Sequence, residues 1–529
     1  MRSLSPFVGC DASWLLRQRA CTHGSRPFLI WHPYGEGASP RTWTFAEFYD
    51  DVRAVACGLR GHGVNRGDRV LVHLGNCPEL LLTWHACARI GATAVTTNTR
   101  SSGDEVAYFT AKSRAVAAIT QPRFLDLIET NTYGVRWVSC TASDAGEPAS
   151  ASAIDLNVIP FSDLTAASAS PSSSSDQDVV RHEPSRECCV QFTSGTTARP
   201  KGVVWNHANV LWGARMAAVN MRLMPDDVSL VHFPLFHTNA MMYAHLGSLW
   251  AGASFVLVPK FSASRFWEVA LTYGCTWTST SPFVIHALSQ HPVPDQHRFR
   301  FWGTGTCELP ACQNTFHVKS LGWWGMTETV AFGLVGDLDL PCRPLATGRP
   351  ALGYEIAIAG EGGAPVTFGE SGRLLIRGIR GISLFAGYLD DAEATAAAFD
   401  EDGWFDTGDI ATPFEDGYVR FEGRAKDMLR IGGENVAAAE IERAIASLPQ
   451  VAEVAVVAAP HVMLEEVPVA FVIARNGCRL SAADVMDHCR WLLADFKVPR
   501  RVVFVTDLPR STTDKVAKAE LRRRLSEDQ

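Results

Sequence analysis

Thr193-Ser-Gly-Thr-Thr-Ala-Arg-Pro-Lys-Gly202 is the stretch whose reading decides the rest of the chain. Hydroxyls at Thr193, Ser194, Thr196 and Thr197 surround Gly195, and Lys201 adds a positive charge. Backbone N–H groups, hydroxyls and a cation together suit an anion, and glycine lets the backbone come close to it. Residues 188–192 ahead of it and 202–205 behind it are apolar enough for buried strands. A phosphate-holding loop between strands points to a nucleotide. It is not the Walker pattern, which runs Gly-Lys-Ser/Thr into a helix. Taken alone, the segment can also be a polar turn rich in Ser and Thr.

The chain has 529 residues, enough for about three or four domain-sized units. Hydrophobic content of 47% and charged content of 20% fit a soluble globular protein. A net charge of −8 argues against nucleic acid as a partner. No apolar run has the length of a transmembrane segment. The first ten residues lack a signal-peptide core, and the last four carry no retention or peroxisomal signal. Fourteen cysteines are scattered without a Cys-x-x-Cys pair or zinc spacing, so a reduced, cytoplasmic setting is expected.

Helix-like and strand-like segments alternate from the start. Residues 43–59 read as a helix, 67–73 as turn and strand, 77–90 as a helix and 92–95 as a strand, which predicts an α/β domain with a largely parallel sheet. Residues 165–178 are Ser- and Ala-rich and predict a flexible surface linker. Short alternating runs and many glycines over 351–419 predict a β-rich subdomain. After Gly423 a compact α+β unit follows. The expected organisation is therefore α/β: a large N-terminal domain over 1–425, of layered α/β subdomains plus the β-rich one, and a small C-terminal domain over 426–529.

Four more segments carry chemistry. In Trp323-Trp-Gly-Met-Thr-Glu-Thr329 an aromatic pair can stack a purine, and Thr327 with Glu328 can hold magnesium through hard oxygens; an aromatic core strand ending in a turn is the alternative. Gly403-Trp-Phe-Asp-Thr-Gly-Asp409 places carboxylates where a ribose can be gripped, or forms a hairpin turn. The charged, glycine-bearing segment 423–436 lies where a hinge is needed. Leu508-Pro-Arg-Ser-Thr-Thr-Asp-Lys515 ends in a lysine that, by itself, reads as a solvated charge.

In this order the segments resemble the signature motifs of the adenylate-forming superfamily, which includes acyl-CoA synthetases, carrier-loading adenylation domains and luciferases. The resemblance runs from about Trp43 to Leu521 and is greatest to an acyl-CoA synthetase. It implies an ATP-dependent ligase that makes an acyl-AMP with release of pyrophosphate, then passes the acyl group to coenzyme A. A mobile C-terminal lid would turn about Lys426. Thr193, Ser194, Gly195, Thr196, Thr197 and Lys201 would hold the β- and γ-phosphates; Thr327 would touch the α-phosphate and Glu328 the Mg2+ ion. Trp324, where relatives carry tyrosine, would stack on adenine near Gly305. Asp409 and Arg424 would grip the ribose, and Lys515 would reach carboxylate and α-phosphate during adenylation. Gly433 would line the CoA tunnel after the lid rotates. His237, Asn239, Met241, Thr280, Phe283 and Gly325 are the acyl-pocket candidates, with His237 also a catalytic one.

Three positions depart from the pattern: Ala198 replaces a glycine in the phosphate loop, Asp514 a glycine before Lys515, and Ala438 a proline. Gly325 stands where acetate-specific relatives carry tryptophan, so room for a medium-sized aliphatic or aromatic acid is expected. The alternatives are a stand-alone enzyme loading a separate carrier protein's phosphopantetheine, and a non-catalytic nucleotide-binding protein. The sequence names neither the acid nor an oligomeric state.

Overall fold

The hairpin that brackets the phosphate-loop sequence organises the larger half of the molecule. In the computed structural model Glu187–Thr193 and Lys201–Asn206 run antiparallel, with Thr193 opposite Lys201 at the loop mouth. Cys188, Cys189, Val190, Val203 and Trp205 are fully buried, as the apolar flanks require. The structure describes residues 6–148, 158–166, 182–193, 199–424, 428–475, 477–509, 516 and 518–527. Ser194, Gly195, Thr196, Thr197, Ala198, Lys426, Asp514 and Lys515 lie outside these, as do the side chains of Phe283 and Arg424.

Glu187–Thr193 continues into an eight-stranded sheet through Thr93–Thr96, Arg69–His73, Ala117–Thr120, Val138–Cys140 and Val158–Pro160, all mutually parallel. Parallel strands are covered on both faces, which is why Val70, Leu71 and Val72 form an unbroken apolar run with no exposure. A nine-stranded sheet holds Pro27–Trp31, Val228–Val231, Ser254–Leu257, Trp277–Ser279, Phe301–Thr304 and Lys319–Trp324. One continuous core joins the two sheets through the helices Phe45–Gly61, Pro78–Ile90 and His207–Asn220 and the π-helix Asn239–Leu246. Each fully buried large apolar side chain there is worth roughly 1.5–3 kcal/mol.

Two local expectations change. Trp43 belongs to the strand Arg41–Thr44, not to the helix after it, because the Thr44 side chain and Glu47 form a capping box that starts the helix at Phe45. The expected linker loses its first two residues to the helix Phe161–Ala166, whose Leu164 packs so tightly on Gly58 that a Cβ there would lie 2.2 Å from the Leu164 carbonyl oxygen. Residues 167–178 lie outside the described set.

The β-rich subdomain is an antiparallel sheet of Glu355–Ala359, Gly372–Arg377, Trp404–Pro413 and Val419–Arg424. The small C-terminal domain has its own sheet of Met428–Ile431, Glu434–Ala437, Val451–His461, Glu465–Ala474 and Arg501–Phe504. Strand periodicity gives that sheet two apolar faces. One carries Leu429, Val456 and Val472 with Ala494 and Phe496; the other carries Ala455, Val457 and Phe471 with Leu508, Val516 and Leu521. Among the described residues no helix is long and apolar enough to cross a membrane.

Candidate active site

At the mouth of the phosphate-loop hairpin Lys201 Nζ sits 4.5 Å from the ring centroid of Tyr388. The Tyr388 hydroxyl donates to Glu328 Oε1 at 3.1 Å, and burial with the neighbouring carboxylate pushes that phenol's pKa up. Thr327 and Glu328 occupy the 3₁₀ turn Thr327–Thr329, just after the strand Lys319–Trp324. Trp205 Nε1 donates to the Thr327 carbonyl at 2.8 Å, and Phe385 N to the Glu328 carbonyl at 2.9 Å. The turn is thus held from two sides, with Glu328 buried. Thr193, Lys201, Thr327 and Glu328 line one cleft of about 690 Å³ together with His237, Asn239, Gly325 and Gly433.

Asp409 lies buried beside this cleft on Trp404–Pro413, and Trp324 Nε1 donates to its Oδ2 at 2.8 Å. Its neighbours Thr407 and Gly408 line the cleft, and its cross-strand partner is Arg424. Gly305 is open: a Cβ built there meets no atom within 4 Å. Met241 and Thr280 are buried and do not line the cleft; Thr280 Oγ1 donates to the Gly303 carbonyl at 3.1 Å. Gly325 does not open the space expected of it. A Cβ there would fall 2.5 Å from Tyr243 Oη and 2.7 Å from the Ala331 carbonyl oxygen, so Tyr243 already fills the room behind it.

The small domain reaches the cleft at several points. His237 Nε2 is 2.7 Å from Glu434 Oε1, next to Gly433 in the turn between Met428–Ile431 and Glu434–Ala437. Lys497 Nζ donates to Glu105 of the large domain and, at 2.8 Å, to Glu440. Arg100 pairs with Asp495 at 2.7 Å and stacks over Phe496, and Ser102 Oγ donates to the Leu492 carbonyl at 2.6 Å. Glu434, Glu105 and Lys497 escape sequence reading because their partners are distant in sequence; Lys497 and Glu105 are 392 residues apart. Gln191 does have a local signal: it is a polar residue inside a buried apolar strand. Its Oε1 accepts from Thr238 Oγ1 at 3.1 Å, facing the cleft.

Among the described residues no three His, Cys, Asp or Glu groups converge into a metal cage. Magnesium held by one carboxylate and substrate phosphates needs none, and buried Glu328 beside Lys201 fits that mode.

The family model for AMP-binding enzymes matches residues 16–389, and that for the AMP-binding enzyme C-terminal domain matches 440–515. The chain belongs to the AMP-binding enzyme family. A crotonobetaine/carnitine–CoA ligase of Salmonella paratyphi C is 32% identical over 499 residues, covering 91% of this chain and 93% of the relative. An o-succinylbenzoate CoA synthetase of Bacillus subtilis shares the fold, with TM-score 0.81 at 24% identity and coverage of 96% and 97%. A Mycobacterium tuberculosis fatty acyl CoA synthetase does so with TM-score 0.68 at 25% identity, covering 98% and 99%. This AMP-binding enzyme is an AMP-forming acid–thiol ligase.

The contact between His237 and Glu434 is expected to make docking of the small domain depend on pH. Burial works against the imidazolium, yet the charge and hydrogen bond of Glu434 hold His237 above its ordinary 6.5. Burial also opposes the Glu434 carboxylate, which His237 nonetheless holds below its ordinary 4.5. A raised histidine contributes fully below its unfolded value and is lost as pH rises through its folded one; a depressed carboxylate contributes above its unfolded value and is lost as pH falls through its folded one. The link therefore holds from below 4.5 to above 6.5 and weakens in alkali. Interdomain fluorescence transfer is expected to fall as pH rises above 6.5, and His237→Asn to flatten that profile. An unchanged profile in the variant would disprove the assignment.

Proposed function

We propose that this single cleft serves both half-reactions on a modest-sized carboxylic acid, with free CoA as acceptor and in the cytoplasm. The observation that carries the proposal is the convergence of Thr193, Lys201, Thr327 and Glu328, from two distant segments, with Gly433 of the small domain on one cleft. In the first step the carboxylate attacks the α-phosphate of ATP and pyrophosphate leaves. Anion attacking polyanion needs charge screening, which Lys201, the hydroxyl-rich loop, Thr327 and an incoming Lys515 supply. Glu328 would hold a magnesium ion, which would supply charge neutralisation when bound. Gly305 leaves open space beside the strand of Trp324 for the base, and the tethered Asp409 is our ribose acceptor with Arg424.

For the second step the lid exchanges Lys515 for the Gly433–Glu434 turn. The residues flanking Lys515, Leu508 and Val516, pack on the face of the small sheet opposite to Ala494 and Phe496, which line the cleft. One orientation thus presents the pantetheine side, and rotation about Lys426 would present the other. The relatives that act on crotonobetaine and carnitine motivate an aliphatic acid of similar size. Fourteen free cysteines agree with a reducing compartment.

Carboxylate-dependent ATP–pyrophosphate exchange across a panel of acids, followed by transfer to CoA or to carrier proteins, tests this. Exchange independent of any acid would defeat the reading; highest efficiency with acetate would defeat the acid class; transfer to a carrier but not to CoA would favour the carrier-loading alternative.

A further inference from the structure

We propose that Tyr243, backed by Trp323 and Phe332, closes the cleft wall behind Gly325, restricting the enzyme to compact acids, and that Asn239 selects those carrying a hydrogen-bond donor. This rests on the reading that the cleft binds the acid beside His237.

Phe301–Thr304 and Lys319–Trp324 pair in parallel with Gly303 opposite Leu321, so Trp323 projects on the same sheet face as Gly303. Its indole lies directly over that glycine: a Cβ at Gly303 would sit 1.5 Å from a Trp323 ring atom. The indole stacks on Phe332 at 5.0 Å between centroids, Phe332 meets Tyr243 at 4.0 Å, and Tyr243 meets Trp323 edge-on at 5.6 Å. Phe332 is fully buried and the other two rings nearly so. Tyr243 Oη also fills the space behind Gly325, which is itself part of the cleft wall. Three rings in mutual contact leave no channel between them, and a long acyl chain has to force one out of a packed core, where added volume is resisted.

Asn239 begins the π-helix that carries Tyr243, and such helices gather at functional sites. It lines the cleft, yet its Oδ1 is buried with no hydrogen-bond partner among the described residues. A buried acceptor without a donor is costly, so a substrate hydroxyl or N–H that meets it is selected over one that cannot.

The test is the wild-type enzyme's kcat/KM for acid-dependent pyrophosphate release with butyrate, 3-hydroxybutyrate, 4-aminobutyrate, hexanoate and octanoate. Octanoate is expected at least about tenfold below butyrate, and a donor-bearing acid at least about tenfold above it. Trp323→Leu should raise octanoate relative to butyrate about tenfold, and Asn239→Leu should erase the donor preference. Octanoate matching or exceeding butyrate in the wild type overturns the closure, and no preference for either donor-bearing acid overturns the role of Asn239. Pyrophosphate release from none of the acids by folded enzyme overturns the underlying reading along with both. Should Trp323→Leu fail to fold, the wild-type series decides alone.

Discussion

Lys497→Met is expected to weaken docking of the small domain by on the order of 3–5 kcal/mol, the cost of breaking a buried ion pair from one side. Lys497 is 8% exposed and Glu105 and Glu440 are 7% exposed, so water screens little of the loss. The cation lies between carboxylates of different domains, and its removal leaves two like charges facing each other in a dry interface. Burial already pushes Glu440 up to about 6, so the variant should recover docking as acid protonates one carboxylate. Because the docked arrangement places Gly433 on the cleft, thiolysis of supplied acyl-AMP by CoA should fall about two to three orders of magnitude. ATP–pyrophosphate exchange should fall far less. Equal loss in both assays, with an earlier thermal transition, would mean that the domain has come apart; no loss in either would disprove the lock.

Lys515→Ala should act the other way round. Removing one preorganised contact to developing charge costs about 3–4 kcal/mol, so pyrophosphate exchange should drop about 10²–10³-fold. Thiolysis of supplied acyl-AMP should stay within about threefold, because the lysine's flanks pack away from the cleft in the docked arrangement. Slow exchange and slow thiolysis together would move the lysine out of the first step. Exchange left intact would show that another cation serves the attack, and the Asp514 departure then becomes the place to look.

Much of this was legible from residues alone, for identifiable reasons. The hairpin around residues 194–198 announces itself because apolar strands flank a polar, glycine-bearing loop, and the turn Thr327–Thr329 because it ends an aromatic strand. The compact α+β unit after Gly423 shows in the apolar runs within Val451–His461 and Glu465–Ala474. What stayed hidden depends on contacts between segments far apart in the chain. Nothing near Lys497 reveals its carboxylates, and nothing near His237 announces Glu434, 197 residues later. Gly325 offers less room than its missing side chain suggests for a related reason: a missing side chain makes room only if no neighbour takes it, and Tyr243, on a π-helix that no simple periodicity predicts, does.

The indole resting on Gly303 also constrains how this lineage can change. While Trp323 remains, every replacement of Gly303 collides with the ring, so the position is frozen by a neighbour and not by the reaction. Once a smaller residue arises at 323, position 303 becomes free to vary and the floor can be recontoured. Mutational histories leading to altered acid preference are therefore expected to run in one order, 323 before 303, with the reverse order passing through a poorly folded intermediate that selection removes.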